Sequence, residues 1–128
     1  MMGKEMADLT LYGSLDVSRT WWTAWMCREL GVQFHNEPQG YQDPVWKAPE
    51  YLAINPNGLV PSIKDGQFVL WESMAINLYL AKKYGRGRLC PHTLEGEALA
   101  SQWILGGDTA GNAAPSCVRS ESTSARRQ

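Results

Sequence analysis

Asn55 to Gly85, NPNGLVPSIKDGQFVLWESMAINLYLAKKYG, is the stretch whose reading decides the fold. Its first residues are polar and glycine-containing, and they lead into Val60-Pro61, where a loop gives way to a strand. Ser62 to Lys64 and Phe68 to Trp71 flank Asp65-Gly66, a dipeptide that accepts the left-handed backbone of a tight hairpin. Ser73 then opens a helix, MAINLYLAKKY, with apolar residues recurring at Ala75, Ile76, Tyr79 and Leu80. Lys82 and Lys83 favour the negative end of its dipole, and Gly85 closes it.

Upstream, Leu9 to Tyr12 is a short apolar strand ending at Gly13-Ser14. Ser18 stands before RTWWTAWMCREL, where its hydroxyl suits an N-cap. Trp22, Met26 and Leu30 recur at helical spacing with Trp21 and Trp25 beside them, so the tryptophans are expected in the core or an interface. Gly31 ends that helix, and Val32 to Asn36 reads as a second strand. Glu37 to Pro44 is loop, followed by a short, irregular helix from about Trp46 to Ala53 with Pro49 inside it. The order is strand–helix–strand–helix–strand–strand–helix. The first two strands should pair in parallel through a right-handed crossover, and the last two antiparallel through the tight turn. The expected fold is α/β: a mixed four-stranded sheet flanked by helices, the thioredoxin-like arrangement.

With 128 residues the chain has room for one domain and a small core. Its apolar fraction of 44% and charged fraction of 20% are those of an ordinary soluble protein. A net charge of −1 gives no electrostatic footprint for nucleic acid or an anionic membrane. MMGKEMADLTLYG reads as neither a secretory signal nor an anchor, and no apolar run approaches the ~20 residues of a membrane span. Cys27, Cys90 and Cys117 are odd in number and far apart, which suits reduced thiols in a cytoplasm. No Cys-x-x-Cys pair is present, and His35 and His92 are isolated, so no metal is expected.

Val60-Pro61 before a hairpin, with Glu72-Ser73 after it, resembles the glutathione-binding half of the glutathione S-transferase family. The resemblance covers Leu9 to Gly85 well and Pro91 to Leu105 weakly. It divides the chain into a glutathione-binding domain over 1–85, then a linker and the start of a truncated helical domain over 86–105. Glu97, Ala100 and Trp103 resemble the opening of that helical domain. Residues 106–128, GGDTAGNAAPSCVRSESTSARRQ, carry almost no large apolar side chain. They read as a disordered or aberrant tail, with the texture of a shifted reading frame or truncated gene.

For the site, the resemblance implies glutathione as co-substrate, with no metal. If the Val60-Pro61 bond is cis, the Val60 N–H and C=O face outward together and can pair with the cysteinyl backbone as one more antiparallel rung. A trans proline that merely starts a strand is the plain alternative. Ser73 would take the γ-glutamyl carboxylate at a helix N-terminus, and Glu72 would pair with the neighbouring ammonium; simple helix capping competes with this. Lys47 falls where some members hold the glycine carboxylate, although it also reads as a solvated surface lysine. Leu59 occupies a position where several classes carry a polar contact to the tripeptide. The resemblance implies that Ser18 donates to the glutathione sulfur. Without gaps that position is Val17; a one-residue insertion in GSLDV moves Ser18 onto it, with Arg19 adding positive potential. Ser14 and Tyr12 are weaker candidates, and Cys27 lies too far along its helix to be a nucleophile.

The implied reaction is attack of glutathione thiolate on a small electrophile by a member that is usually a homodimer. Little activity is expected of a chain lacking the helical domain. A non-catalytic module that binds glutathione or a protein partner is the alternative. A thiol–disulfide oxidoreductase would need a Cys near Val17 or Ser18, and dinucleotide or phosphate binding would need a Gly-rich motif; neither is present.

Overall fold

Alternation of Leu9 and Leu11 with Thr10 and Tyr12 makes the first strand, β1 (Leu9–Tyr12), two-faced. The computed structural model describes residues 8–16 and 19–109 of the chain. They fall into two units, one ending at Cys90 and one beginning at Pro91. In the first, β1 is followed by α1 (Thr20–Leu30), β2 (His35–Glu37), a 3-10 turn (Pro44–Lys47), α2 (Pro49–Leu52), β3 (Ser62–Asp65), β4 (Phe68–Trp71) and α3 (Ser73–Tyr84). The strands form one sheet in the order β2-β1-β3-β4. β1 pairs with β2 in parallel, and with β3 antiparallel; β3 pairs with β4 antiparallel around Gly66. This is the mixed thioredoxin-like sheet that the element order implied.

Leu9, Leu11 and Ile63 of the sheet pack with Ala24, Cys27 and Leu30 of α1 and with Ile76 and Leu80 of α3. Full burial of each Leu or Ile contributes about 1.5–3 kcal/mol, so this cluster holds the sheet to both helices. Burial also pushes the Cys27 thiol up to about 12, which makes it a packing residue rather than a reactive one.

Three local details depart from the sequence expectation. First, the tryptophans lie outside the core, the first of the two places expected for them: α1 turns Thr20, Thr23, Ala24, Cys27 and Leu30 inward, while Trp21, Trp22 and Trp25 remain 41%, 42% and 56% exposed. Small side chains let α1 approach α3 and β1 closely, and an indole there would hold them apart. The indoles are braced on the surface instead. Arg19 lies over Trp22 and Arg28 over Trp21, while Trp25 Nε1 donates to Glu29 at 3.0 Å. Arg19, not Ser18, stands at the N-cap position of α1.

Second, β2 starts at His35 rather than Val32, because the Val32 N–H is committed to the Cys27 carbonyl in the helix cap at 2.9 Å. Third, the irregular helix divides at Ala48. Pro49 has no N–H to continue the first turn, but it fits the first position of α2.

The hairpin is tied to α3 through Asp65, whose side chain is only 4% exposed. Its carboxylate accepts from Tyr79 Oη at 2.7 Å, Lys83 Nζ at 2.7 Å and Tyr84 Oη at 3.0 Å. Burial alone would raise the Asp65 pKa, but these three donors outweigh it and hold the group below its ordinary value.

In the second unit, α4 runs Leu94–Thr109, past the Leu105 expected to end it. Thr93 opens it, its hydroxyl accepting from the Gly96 N–H at 3.0 Å. The tail expected over 106–128 lies, beyond Thr109, outside the described residues. Among the described residues no helix is long and apolar enough to cross a membrane.

Candidate functional site

Sheet register gathers the candidate residues. Ser62 opposes Trp71 across β3 and β4, so the residues just before Ser62 run beside those just after Trp71. Val60-Pro61 therefore lies alongside Glu72-Ser73. Tyr12 opposes Ser62, which brings the segment after β1 to the same end of the sheet. Gly13 confirms the approach. At φ 123°, a Cβ added there would fall 3.0 Å from Val60 Cβ and would overlap the Thr20 hydroxyl.

The Val60–Pro61 peptide bond is cis. Pro61 is buried and Val60 half-buried. Among the described residues, no hydrogen bond reaches the Val60 N–H or C=O. That leaves one strand-like edge able to accept an extended peptide.

Glu72 has φ 76° and ψ 113°, a backbone conformation that costs a non-glycine residue about 1–3 kcal/mol. Its carbonyl accepts the first bond of α3, from Ile76 N–H at 2.9 Å, yet its side chain makes no capping hydrogen bond. The exposed carboxylate therefore is not occupied in finishing the helix, which was the plain alternative for this pair. Ser73 is 3% exposed and begins α3, where the first amides lack intrahelical partners and the dipole is positive.

Lys47 is neither solvated freely nor aimed only at a ligand. Its Nζ donates to the Gly58 carbonyl at 2.9 Å and the Asn57 carbonyl at 3.1 Å, using two of its three protons. Gly58, at φ 61°, makes room for it, since a Cβ there would lie 2.7 Å from that nitrogen. Leu59 leaves its side chain 48% exposed but turns its carbonyl inward. Ser18, the expected donor to sulfur, lies outside the described residues, as does Val17. Of the weaker candidates, Ser14 is buried, and Tyr12 packs edge-on against Tyr51 at 5.5 Å with its pKa raised by burial and then by Glu37.

The sequence reading missed four residues that shape this end of the sheet. Asn36 Nδ2 donates to the carbonyls of Leu11 at 2.9 Å and Gly13 at 3.0 Å, pinning the segment that leaves β1. Gly13 supplies the close approach already described. Tyr51 Oη and Asn55 Nδ2 both donate to the Leu59 carbonyl, at 2.6 and 2.9 Å. Asn55 opens the quoted NPNG stretch, so a signal was there; Asn36 and Tyr51 act across 23 to 25 residues and 8 residues, and local pattern does not reveal them. Among the described residues no cluster of His, Cys, Asp or Glu fits a metal ion.

Comparison with known proteins identifies the family. Residues 7–82 match the family model described as glutathione S-transferase, N-terminal domain. A probable glutathione S-transferase of Oryza sativa subsp. japonica is 34% identical over 103 residues, covering 77% of this chain and 46% of the relative. Glutathione S-transferase 3 of Zea mays is 43% identical over 82 residues, covering 62% of this chain and 36% of its own length. Among solved structures, the theta class enzyme of Xanthomonas axonopodis pv. citri with glutathione bound superposes with a TM-score of 0.70 at 37% identity, covering 77% of this chain and 47% of the other. The chain spans about half the length of the relatives it matches. On the family-model match and the shared sheet, the chain belongs to the glutathione S-transferase family and carries its thioredoxin-like N-terminal domain.

Proposed function

We propose that this chain binds glutathione at the end of the sheet where Val60-Pro61 meets Glu72-Ser73, and that it presents the thiol for attack on a small electrophile. The observation that carries the reading is Glu72, held at φ 76° at the same end of the β3–β4 pair as Val60-Pro61, with its carboxylate uncommitted to the helix. Strain retained where no cap is formed points to a ligand. The glutathione-bound neighbour of the same fold supports it.

In this reading the Val60 N–H and C=O pair with the cysteinyl backbone. The Ser73 amide and hydroxyl hold the γ-glutamyl carboxylate at the positive end of α3, and Glu72 pairs with the γ-glutamyl ammonium. Lys47 turns its remaining proton to the glycine carboxylate. Ser18 donates to the sulfur and favours the thiolate. Lowering a thiol pKa from ~8.5 to ~6.5 would raise the thiolate fraction at pH 7 from about 3% to about 75%. The thiol proton leaves to solvent, and the thiolate forms a carbon–sulfur bond as the electrophile's leaving group departs. Cys27 is a buried free thiol, which fits a reducing cytoplasm. A homodimer completes the reading by family analogy.

A second reading, binding without turnover, is favoured by Leu59 and Lys47. Leu59 offers no polar side chain to the tripeptide, and two of the three Lys47 protons are spent on the loop. Calorimetric titration of the chain with glutathione, together with thiolate absorbance of the complex, separates the outcomes. Binding with a thiolate signal that Ser18→Ala abolishes supports the enzyme; binding with no thiolate signal supports the module. No binding at millimolar glutathione would overturn both.

A further inference from the structure

The Leu59 carbonyl is an acceptor held from two sides near the site. It can accept two hydrogen bonds, and both are supplied, by Tyr51 Oη at 2.6 Å and Asn55 Nδ2 at 2.9 Å. The direction of the first bond follows from the donor count. A carbonyl only accepts, so the single Tyr51 hydroxyl proton points to Leu59, and the buried Ser62 hydroxyl must donate to the phenol oxygen at 2.7 Å. A phenol that accepts one bond while donating another donates more strongly.

Both donors are themselves fixed. Tyr51 is 4% exposed, with its ring against Trp46 and Tyr12. Asn55 is 3% exposed; its side-chain oxygen accepts from the Asn57 N–H at 3.0 Å, and its carbonyl accepts from the Gly58 N–H at 2.9 Å.

The consequence concerns the other side of the same peptide group. The Leu59–Val60 bond is trans, so the Val60 N–H lies opposite the Leu59 C=O in one rigid plane. Turning that carbonyl inward onto two buried donors turns the Val60 N–H outward. We infer that Tyr51 and Asn55 are positioning residues that aim the Val60 N–H at the cysteinyl carbonyl of bound glutathione. This rests on the glutathione reading above. It assigns affinity to two side chains that never touch the ligand, and it explains how binding survives at a position where Leu59 brings no polar contact of its own.

The test is a glutathione titration of the uniformly 15N-labelled full chain, following the Val60 and Ser73 amide resonances, repeated for Tyr51→Phe, Asn55→Asp and Ser62→Ala. Phe keeps the ring that packs on Trp46 and Tyr12, and Asp keeps the acceptor for Asn57 while removing the donor to Leu59. Each should weaken binding by about five- to tenfold, the worth of one well-made hydrogen bond. At saturation the downfield shift of the Val60 amide should shrink while that of Ser73 persists. Ser62→Ala leaves the Leu59 carbonyl with both donors and should bind within about twofold of the parent chain. Parent-like binding and a full Val60 shift in Tyr51→Phe overturn the inference while leaving the glutathione reading intact. So does a Ser62→Ala loss as large as that of Tyr51→Phe, since a general loosening would then be the cause. If Asn55→Asp does not fold, Tyr51→Phe decides alone. Glutathione that moves neither Val60 nor Ser73 in the parent chain removes the inference and the reading beneath it together.

Discussion

Replacing Glu72 by Gly separates stored strain from ligand contact, because the two should move in opposite directions. At φ 76° and ψ 113° the glutamate bears about 1–3 kcal/mol of backbone strain that glycine would not feel. Glycine gives back about 0.5–1 kcal/mol through the greater freedom of its unfolded chain. Loss of a carboxylate at the start of α3 removes a further ~0.5 kcal/mol of dipole interaction. The net expectation is a gain of about 0.5–1 kcal/mol. For a domain of this size that corresponds to roughly 3–6 °C in Tm. Glu72→Gln is the matched control, since it keeps the strain and loses only the charge; it should fall about 0.5 kcal/mol below the parent. Urea unfolding followed by tryptophan fluorescence measures all three chains. Titration with glutathione should show both variants binding about tenfold more weakly, because each lacks the partner of the γ-glutamyl ammonium. A Gly variant no more stable than the Gln variant would show that the backbone at Glu72 stores no more strain than the roughly 0.5–1 kcal/mol that glycine's freedom costs. Undiminished glutathione binding by both would remove the carboxylate from the site.

Asp65→Asn should cost about 2–4 kcal/mol, since it replaces a buried carboxylate that three donors converge on, with Lys83 half-exposed and able to return to water; thermal melts at pH 7 measure it. Because the folded Asp65 pKa lies below its ordinary value of 3.8, that contribution is complete above this value and disappears as pH falls through the lower folded one. The stability gap between parent and Asp65→Asn should therefore close in acid, and a gap that widens on acidification would refute the assignment. Gly13→Ala should destabilise the fold and weaken glutathione binding together, because the added Cβ meets Thr20 and Val60 at a left-handed φ of 123°; parent-like melting would show that the loop yields at no cost. Cys27, with its pKa pushed up to about 12 and no exposed surface, should resist iodoacetamide until the chain unfolds. Peptide mass spectrometry after labelling the native chain reads this, and rapid native modification of Cys27 would contradict the packing.

The sequence by itself determined the element order, the hairpin at Asp65-Gly66, the mixed sheet and the paired motifs Val60-Pro61 and Glu72-Ser73. Each is a local signal: alternation, turn chemistry, a helix start, or a motif at fixed spacing. Tertiary structure decided which face of α1 is buried, because close packing against α3 and β1 selects Ala24 and Cys27 over three tryptophans whose hydrophobicity pointed inward. It also decided what holds the site in place. Asn36 and Tyr51 are unremarkable in one dimension, and they matter because their donors reach carbonyls outside their own elements, while Asn55 adds a second donor from within the loop. A local pattern encodes what one segment prefers, whereas orientation of a peptide group depends on which buried donors the fold brings within 3 Å of it.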